Sequence, residues 1–193
     1  MKLYFSTNPI SFQKTFITTA NVLNSGKIEE CNIFELDSKE DKDYFENLKE
    51  NKNWENAIYL DKINEIFKKD FPAETTYSIE TKKGDCIGFA NIEKDEEENF
   101  MGINLIETIS KHNKKTEGTG YKGIGSSLIN FLIQFAKENK IKAVTVLTVA
   151  EKSVDFYKKY GFNLFYSDYL DAIITECRYD EILNKNNITK NAN

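Results

Sequence analysis

The sequence predicts a mixed α/β (α+β) fold: a mostly antiparallel sheet flanked by helices, with one parallel strand pair inside it. Two stretches carry this expectation. From Thr75 to Ser110, apolar runs are separated by two turn signals, KKGD and KDEEEN, the pattern of a three-stranded antiparallel meander. After a glycine-dense segment, an amphipathic run leads into IKAVTVLTV, residues 141–149, which is almost continuously apolar. That is a helix followed by a strand buried on both faces, the connection that parallel neighbours need.

Along the chain, residues 1–26 read as a polar, irregular N-terminal arm, and 27–183 as one domain. KIEECNIFELD, 27–37, ends in an apolar/polar alternation and predicts a strand. Ser38 and Asp41 resemble a capping box that opens a helix near 39–49. Trp54, Ala57, Ile58, Ile63, Ile66 and Phe67 recur at helical spacing, and Pro72 closes that second helix. The meander comes next, with the acid run Asp95–Glu98 as a solvated turn. Leu128, Ile129, Leu132 and Phe135 share one stripe of a helix over about 126–139. A short helix in EKSVDFYKKYG ends at Gly161, a natural C′ glycine, and two closing strands follow. The Asn/Lys-rich tail 184–193 predicts disorder.

Composition narrows the function. The chain has 193 residues, is 40% hydrophobic, and carries a net charge of −5. That charge disfavours binding to nucleic-acid phosphates. Arg178 is the single arginine, so bidentate guanidinium clamps are nearly absent and a phosphate would fall to backbone N–H groups and lysines. Cys31, Cys86 and Cys177 are isolated in apolar runs, as core thiols of a reducing compartment would be, and His112 is the lone histidine. These features predict no metal site. No stretch approaches the ~18 apolar residues of a membrane span. The start lacks an apolar signal region, so a cytoplasmic protein with no membrane partner is the expectation.

The stretch TEGTGYKGIGSSL, 117–129, holds Gly118, Gly120, Gly123 and Gly125. Gly118, Gly120 and Gly123 match the dinucleotide fingerprint G-x-G-x-x-G, but the context fails. Eight residues, Lys111 to Gly118, run from the preceding strand to its first glycine, and no carboxylate closes the next strand. No Gly-Lys-Ser/Thr follows, which excludes a Walker loop. GYKGIGSS instead places Gly123, Ile124, Gly125 and Ser126 at a helix start. There the free N–H groups and the positive dipole end suit a diphosphate, with Lys122 as a point charge. The alternative is a glycine-rich turn that only caps the helix.

Downstream, VAEKSVDFYKKYGF puts Phe156 and Tyr157 on a short helix that ends in Gly161-Phe162. With this segment in place, the chain resembles the GNAT superfamily of N-acetyltransferases over about residues 75–165. The family's motif A, Gln/Arg-x-x-Gly-x-Gly/Ala, corresponds to Gly120 through Gly125. Its motif B, ending Phe-Tyr-x-x-x-Gly-Phe, corresponds to Ala150 through Phe162. Gly120 stands where the family has Gln or Arg, Ala150 where it has Asn, and Ser153 where it has Ala.

The resemblance implies acetyl-CoA as co-substrate and a primary amine, on a small molecule or a protein, as acceptor. It implies that the central parallel strands splay around the pantetheine arm. Backbone groups of Thr108, Ile109 and Ser110 would pair with that arm, and Tyr121, Lys122, Gly123, Ile124, Gly125 and Ser126 would form the diphosphate loop. Tyr157 is the candidate general acid, or else a packing tyrosine. Glu107 is the candidate general base, or else a solvent-facing strand residue. His112 or a water could replace it. Phe156 is expected in the core. The assembly is expected to be a monomer or homodimer. A non-catalytic CoA-binding module on the same fold, or an acetylating toxin, are the competing expectations.

Overall fold

A computed structural model describes residues 14–36, 74–108, 120–146, 153–166 and 169–173, with side chains through 163. The predicted helices at 39–49 and 54–67, the tail, Ile109, Ser110 and His112 lie outside the described residues.

Among the described residues, nine strands form one sheet in the order β6-β1-β2-β3-β4-β5-β7-β9-β8. The strands are β1 (Thr15–Asn24), β2 (Lys27–Leu36), β3 (Glu74–Glu80), β4 (Cys86–Asp95), β5 (Phe100–Thr108), β6 (Tyr121–Lys122), β7 (Ala143–Val146), β8 (Asn163–Tyr166) and β9 (Tyr169–Ile173). Two helices accompany them there, α1 (Ile124–Glu138) and α2 (Val154–Lys158). Among the described residues, β5 and β7 are the one parallel pair; the neighbouring ladders are antiparallel. The meander β3-β4-β5 and the crossover β5-α1-β7 therefore stand as the sequence predicts.

The N-terminal arm differs. Residues 15–24 are a strand that pairs with β2 along its length. Ser25 and Gly26 turn the chain with φ of 50° and 82°, the positive pair of a two-residue hairpin turn whose twist matches its strands. Val22 is the one buried residue of β1. The strand is held by its ladder rather than by an apolar face, so it carries no alternation to recognise.

α1 lays Leu128, Ile129, Leu132, Ile133 and Ala136 onto the sheet, and each is fully buried. They meet Ile33, Tyr77, Ile79, Ile92, Ile103 and Val144. Burial of each large aliphatic side chain contributes about 1.5–3 kcal/mol. The helix begins at Ile124, two residues before the predicted start. β7 is half-buried at Ala143 and Thr145 and buried at Val144 and Val146, short of the two-sided burial expected. The acid run Asp95–Glu98 lies at the β4–β5 turn, where the Glu98 amide donates to Asp95 Oδ1 at 2.8 Å.

Two features of β5 shape the region around its C-terminal end. Its described pairing with β7 runs from Phe100 to Ile103, opposite Ala143–Val146, and from Leu105 to Thr108 its partner among the described residues is β4. At the same place Asn91 pairs with Leu105 while Ile92 pairs with Ile103, so Asn104 is an extra residue, a β-bulge.

Candidate active site

The side-chain period of a strand is two, so one extra residue exchanges its faces. Before the bulge, Met101 and Ile103 face the core under α1. After it, Ile106 and Thr108 take that face, and Leu105 and Glu107 point to the other side of the sheet. Without Asn104 these assignments would reverse.

Thr108 is thereby brought to the start of α1. A Cβ placed on Gly125 would stand 3.9 Å from Thr108 Cγ2 and 3.4 Å from Phe156 Cζ. Three separate sequence elements, the end of β5, the glycine loop and the Phe-Tyr helix, converge at Gly125. The loop itself is anchored at the sheet edge, where Tyr121 and Lys122 pair with Asn24 and Leu23. The Tyr121 hydroxyl reaches Glu29 Oε1 at 3.5 Å, and burial raises the Tyr121 phenol, with Glu29 adding to the effect.

Gly123 is the N-cap of α1 with φ 81°, a left-handed conformation that an L side chain adopts only with strain. Among the described residues no side chain caps the helix, and its first turn holds no acidic residue. The first intrahelical bond runs from the Ser127 amide to the Gly123 carbonyl, at 2.8 Å. The amides of Gly123, Ile124, Gly125 and Ser126 are therefore the orphan donors of the helix start. Lys122 is exposed beside them. Position 120 offers no side chain.

The loop approaches the sheet closely because of Gly88, a residue that the sequence motifs do not include. A Cβ there would lie 2.7 Å from Ile124 Cγ2, 3.1 Å from the Glu107 carbonyl and 3.1 Å from Ile79 Cγ2. The signal was present: an isolated glycine inside a strand marks a close approach. Gly88→Ala is expected to lift the start of α1, destabilise the fold by about 1–3 kcal/mol as overpacking does, and weaken binding at the loop. Thermal melts with and without the co-substrate check both effects.

Glu107 is half-buried, and burial alone raises its carboxyl to about 7. Its proton is thus balanced near neutrality, where a base works best. Tyr157 is 8% exposed, and burial pushes its phenol up to about 12. Its ring packs edge-on against Phe156 at 5.2 Å and Phe162 at 5.6 Å. Its hydroxyl has no hydrogen-bond partner among the described residues. Phe156, expected in the core, is partly buried and packs against it, less deeply than Tyr157, and it forms the wall facing Gly125. Gly161 closes the α2 turn at φ 84°, as predicted.

Comparison with known proteins agrees with this architecture. No curated protein matches the sequence. Among solved structures, a SpeG spermidine N-acetyltransferase chimera from Vibrio cholerae and hSSAT is similar at TM-score 0.53 and 17% identity, over 80% of this chain and 98% of that one. The paia N-acetyltransferase from Thermoplasma acidophilum, in complex with coenzyme A, gives TM-score 0.53 and 17% identity, over 75% and 99%. At such identities the likeness is one of fold. A profile of the acetyltransferase (GNAT) family matches residues 36–162, more than half of the sequence. The chain belongs to the GNAT acetyltransferase family.

Proposed function

We propose that the protein is an acetyl-CoA-dependent N-acetyltransferase that acts on a primary amine by direct attack in a ternary complex. The observation that carries this is the convergence at Gly125 of the uncapped α1 start, Thr108 and Phe156.

The residues present fit the co-substrate. Orphan amides from Gly123 to Ser126 suit a diphosphate, and the missing Cβ at Gly125 leaves the backbone approachable between Thr108 and Phe156. Lys122 adds charge. The pantetheine arm, an extended chain that needs backbone partners, would lie along the end of β5. When bound, acetyl-CoA supplies an activated thioester.

The chain's own residues do the rest. The bulge sets Glu107 on one face of the sheet, while Tyr157 packs with the core beneath α1 on the other. Donor and acceptor would thus meet at the end of β5 from opposite faces. Glu107 takes the proton that the amine nitrogen sheds as its bond to the acyl carbon forms. The carbon–sulfur bond breaks, and Tyr157 protonates the departing sulfur. The burial that raises the phenol raises a neighbouring thiolate too, because both anions lose hydration. Holding the two reactants together contributes up to roughly 7–11 kcal/mol. The net charge of −5 favours approach of a cationic amine.

Gly120, which contributes no side chain to the loop, motivates the competing reading of a CoA-binding module without turnover. Two assays separate them. Acetyl-CoA at 100 times its Kd is expected to stabilise the protein by about 2.7 kcal/mol in a thermal shift. Thiol release over a panel of amines and peptides is expected for the enzyme. Stabilisation with no thiol release for any amine would indicate the binding module, and neither response would end both readings.

A further inference from the structure

The glycine loop is fastened at both of its ends to one element, the tip of the β1–β2 hairpin. Ahead of the loop, Tyr121 and Lys122 pair with Asn24 and Leu23. Behind it, the Ser127 hydroxyl donates to the Asn21 carbonyl of β1 at 2.8 Å. Strand geometry accounts for the spacing. Successive residues of β1 turn their peptide groups alternately toward β2 and away from it. Asn24 closes the two-residue turn on Lys27, so Leu23 and Asn21 turn theirs outward. β6 takes Leu23, and Ser127 takes the next outward carbonyl. The tip is itself braced: Asn24 Nδ2 donates to Glu29 Oε2 at 2.8 Å, and the Tyr121 hydroxyl lies 3.5 Å from Glu29 Oε1.

Between the two fastenings lie Gly123, Ile124, Gly125 and Ser126, whose amides are the orphan donors. Two of the four are glycines, the residues with the most conformational freedom to lose, and Gly120 adds no side chain to hold them. Ser127 also donates its amide to the Gly123 carbonyl at 2.8 Å. One residue thus closes the first turn of α1 and ties it to the edge of the sheet. β1, and β2 as far as Glu35, precede the residues 36–162 that the family profile matches.

We propose that Ser127 is a positioning residue of the co-substrate site: its bond to the Asn21 carbonyl of the hairpin holds the orphan amides in place before the diphosphate arrives and so lowers the ordering cost of binding. The proposal deepens the acetyltransferase reading and rests on acetyl-CoA as the ligand of the loop. The proton of the Ser127 hydroxyl is committed to Asn21, so the residue acts through the loop.

The test compares Ser127→Ala, which removes the hydroxyl, with Ser127→Thr, which keeps it. Thr19→Ala, an exposed change farther along β1, is the control. In the free protein, nitrogen-15 relaxation is expected to give order parameters of about 0.85 over Gly123–Ser126 in the wild type, Ser127→Thr and Thr19→Ala, falling toward about 0.6 in Ser127→Ala. Leu128 to Ala136 should stay rigid in all four. Calorimetric titration with CoA is expected to show a Kd about three- to tenfold weaker in Ser127→Ala, the effect of one lost hydrogen bond, and to show it restored in Ser127→Thr. In turnover, KM for acetyl-CoA is expected to rise by the same factor with kcat held. S-acetylpantetheine, which has no diphosphate, should lose nothing. Loop order or CoA affinity at its wild-type value in Ser127→Ala overturns the proposal. An equal loss with acetyl-CoA and S-acetylpantetheine also overturns it, because Ser127 would then support the fold at large. A wild type that binds no CoA overturns the function instead, and the relaxation data still decide whether Ser127 orders the loop.

Discussion

Replacing Glu107 with Gln is expected to lower turnover by about 10²–10⁴-fold, the usual contribution of a positioned base. The rising limb of the pH–rate profile, expected near pH 7 in the wild type, is expected to vanish with it. Stability should respond in the opposite direction. Burial lifts the folded carboxyl from 4.5 to about 7. Below about pH 4.5 the group is protonated both folded and unfolded and costs nothing. Between the two values the unfolded chain ionises while the folded one does not, so stability drains away, and above pH 7 the loss is complete. Glu107→Gln removes this penalty. Its melting temperature should exceed that of the wild type more at alkaline pH than at acid pH. Loss of activity with a gain of alkaline stability is a signature that simple misfolding does not produce. Full activity in Glu107→Gln would remove Glu107 from the chemistry.

Tyr157→Phe is the second large effect. Loss of a general acid is expected to cost about 10²–10⁴-fold in thiol release. The ring contacts with Phe156 and Phe162 at 5.2 and 5.6 Å survive the change. The hydroxyl makes no hydrogen bond among the described residues, so the melting temperature should barely move. A phenol near 12 stays protonated across the neutral range, and the deficit should therefore be uniform with pH. Unchanged turnover at every pH would reduce Tyr157 to a packing residue.

The contrast between the two faces of β5 shows what was legible in the sequence. The glycine loop and the Phe-Tyr helix are local patterns, with their chemistry at fixed spacings along the chain. So are the meander and the apolar stripe of α1. These patterns point to the family, and the structure brings Phe156 beside Gly125. What escaped depends on pairing between distant segments. Gly88 matters because Ile124 sits on it, thirty-six positions along the chain. The bulge shows only in the pairing, where Ile92 stands opposite Ile103 and Asn91 opposite Leu105. As a string of residues, NLIET alternates no differently from any half-buried strand, so nothing in it declares that Glu107 and Thr108 belong to their present faces. β1 is invisible to periodicity because its partner is β2 rather than the core. Phe156 and Tyr157 are neighbours on one short helix, and only the packing around them decides which lies deeper.

The most direct measurement is a crystal structure with acetyl-CoA bound. The diphosphate should accept hydrogen bonds from the amides between Gly123 and Ser126. The acetyl carbonyl should lie beside the C-terminal end of β5, with the Tyr157 hydroxyl near the sulfur and the Glu107 carboxylate facing the carbonyl from the other side of the sheet. A co-substrate seated away from the start of α1, or a thioester out of reach of both Glu107 and Tyr157, would contradict the account.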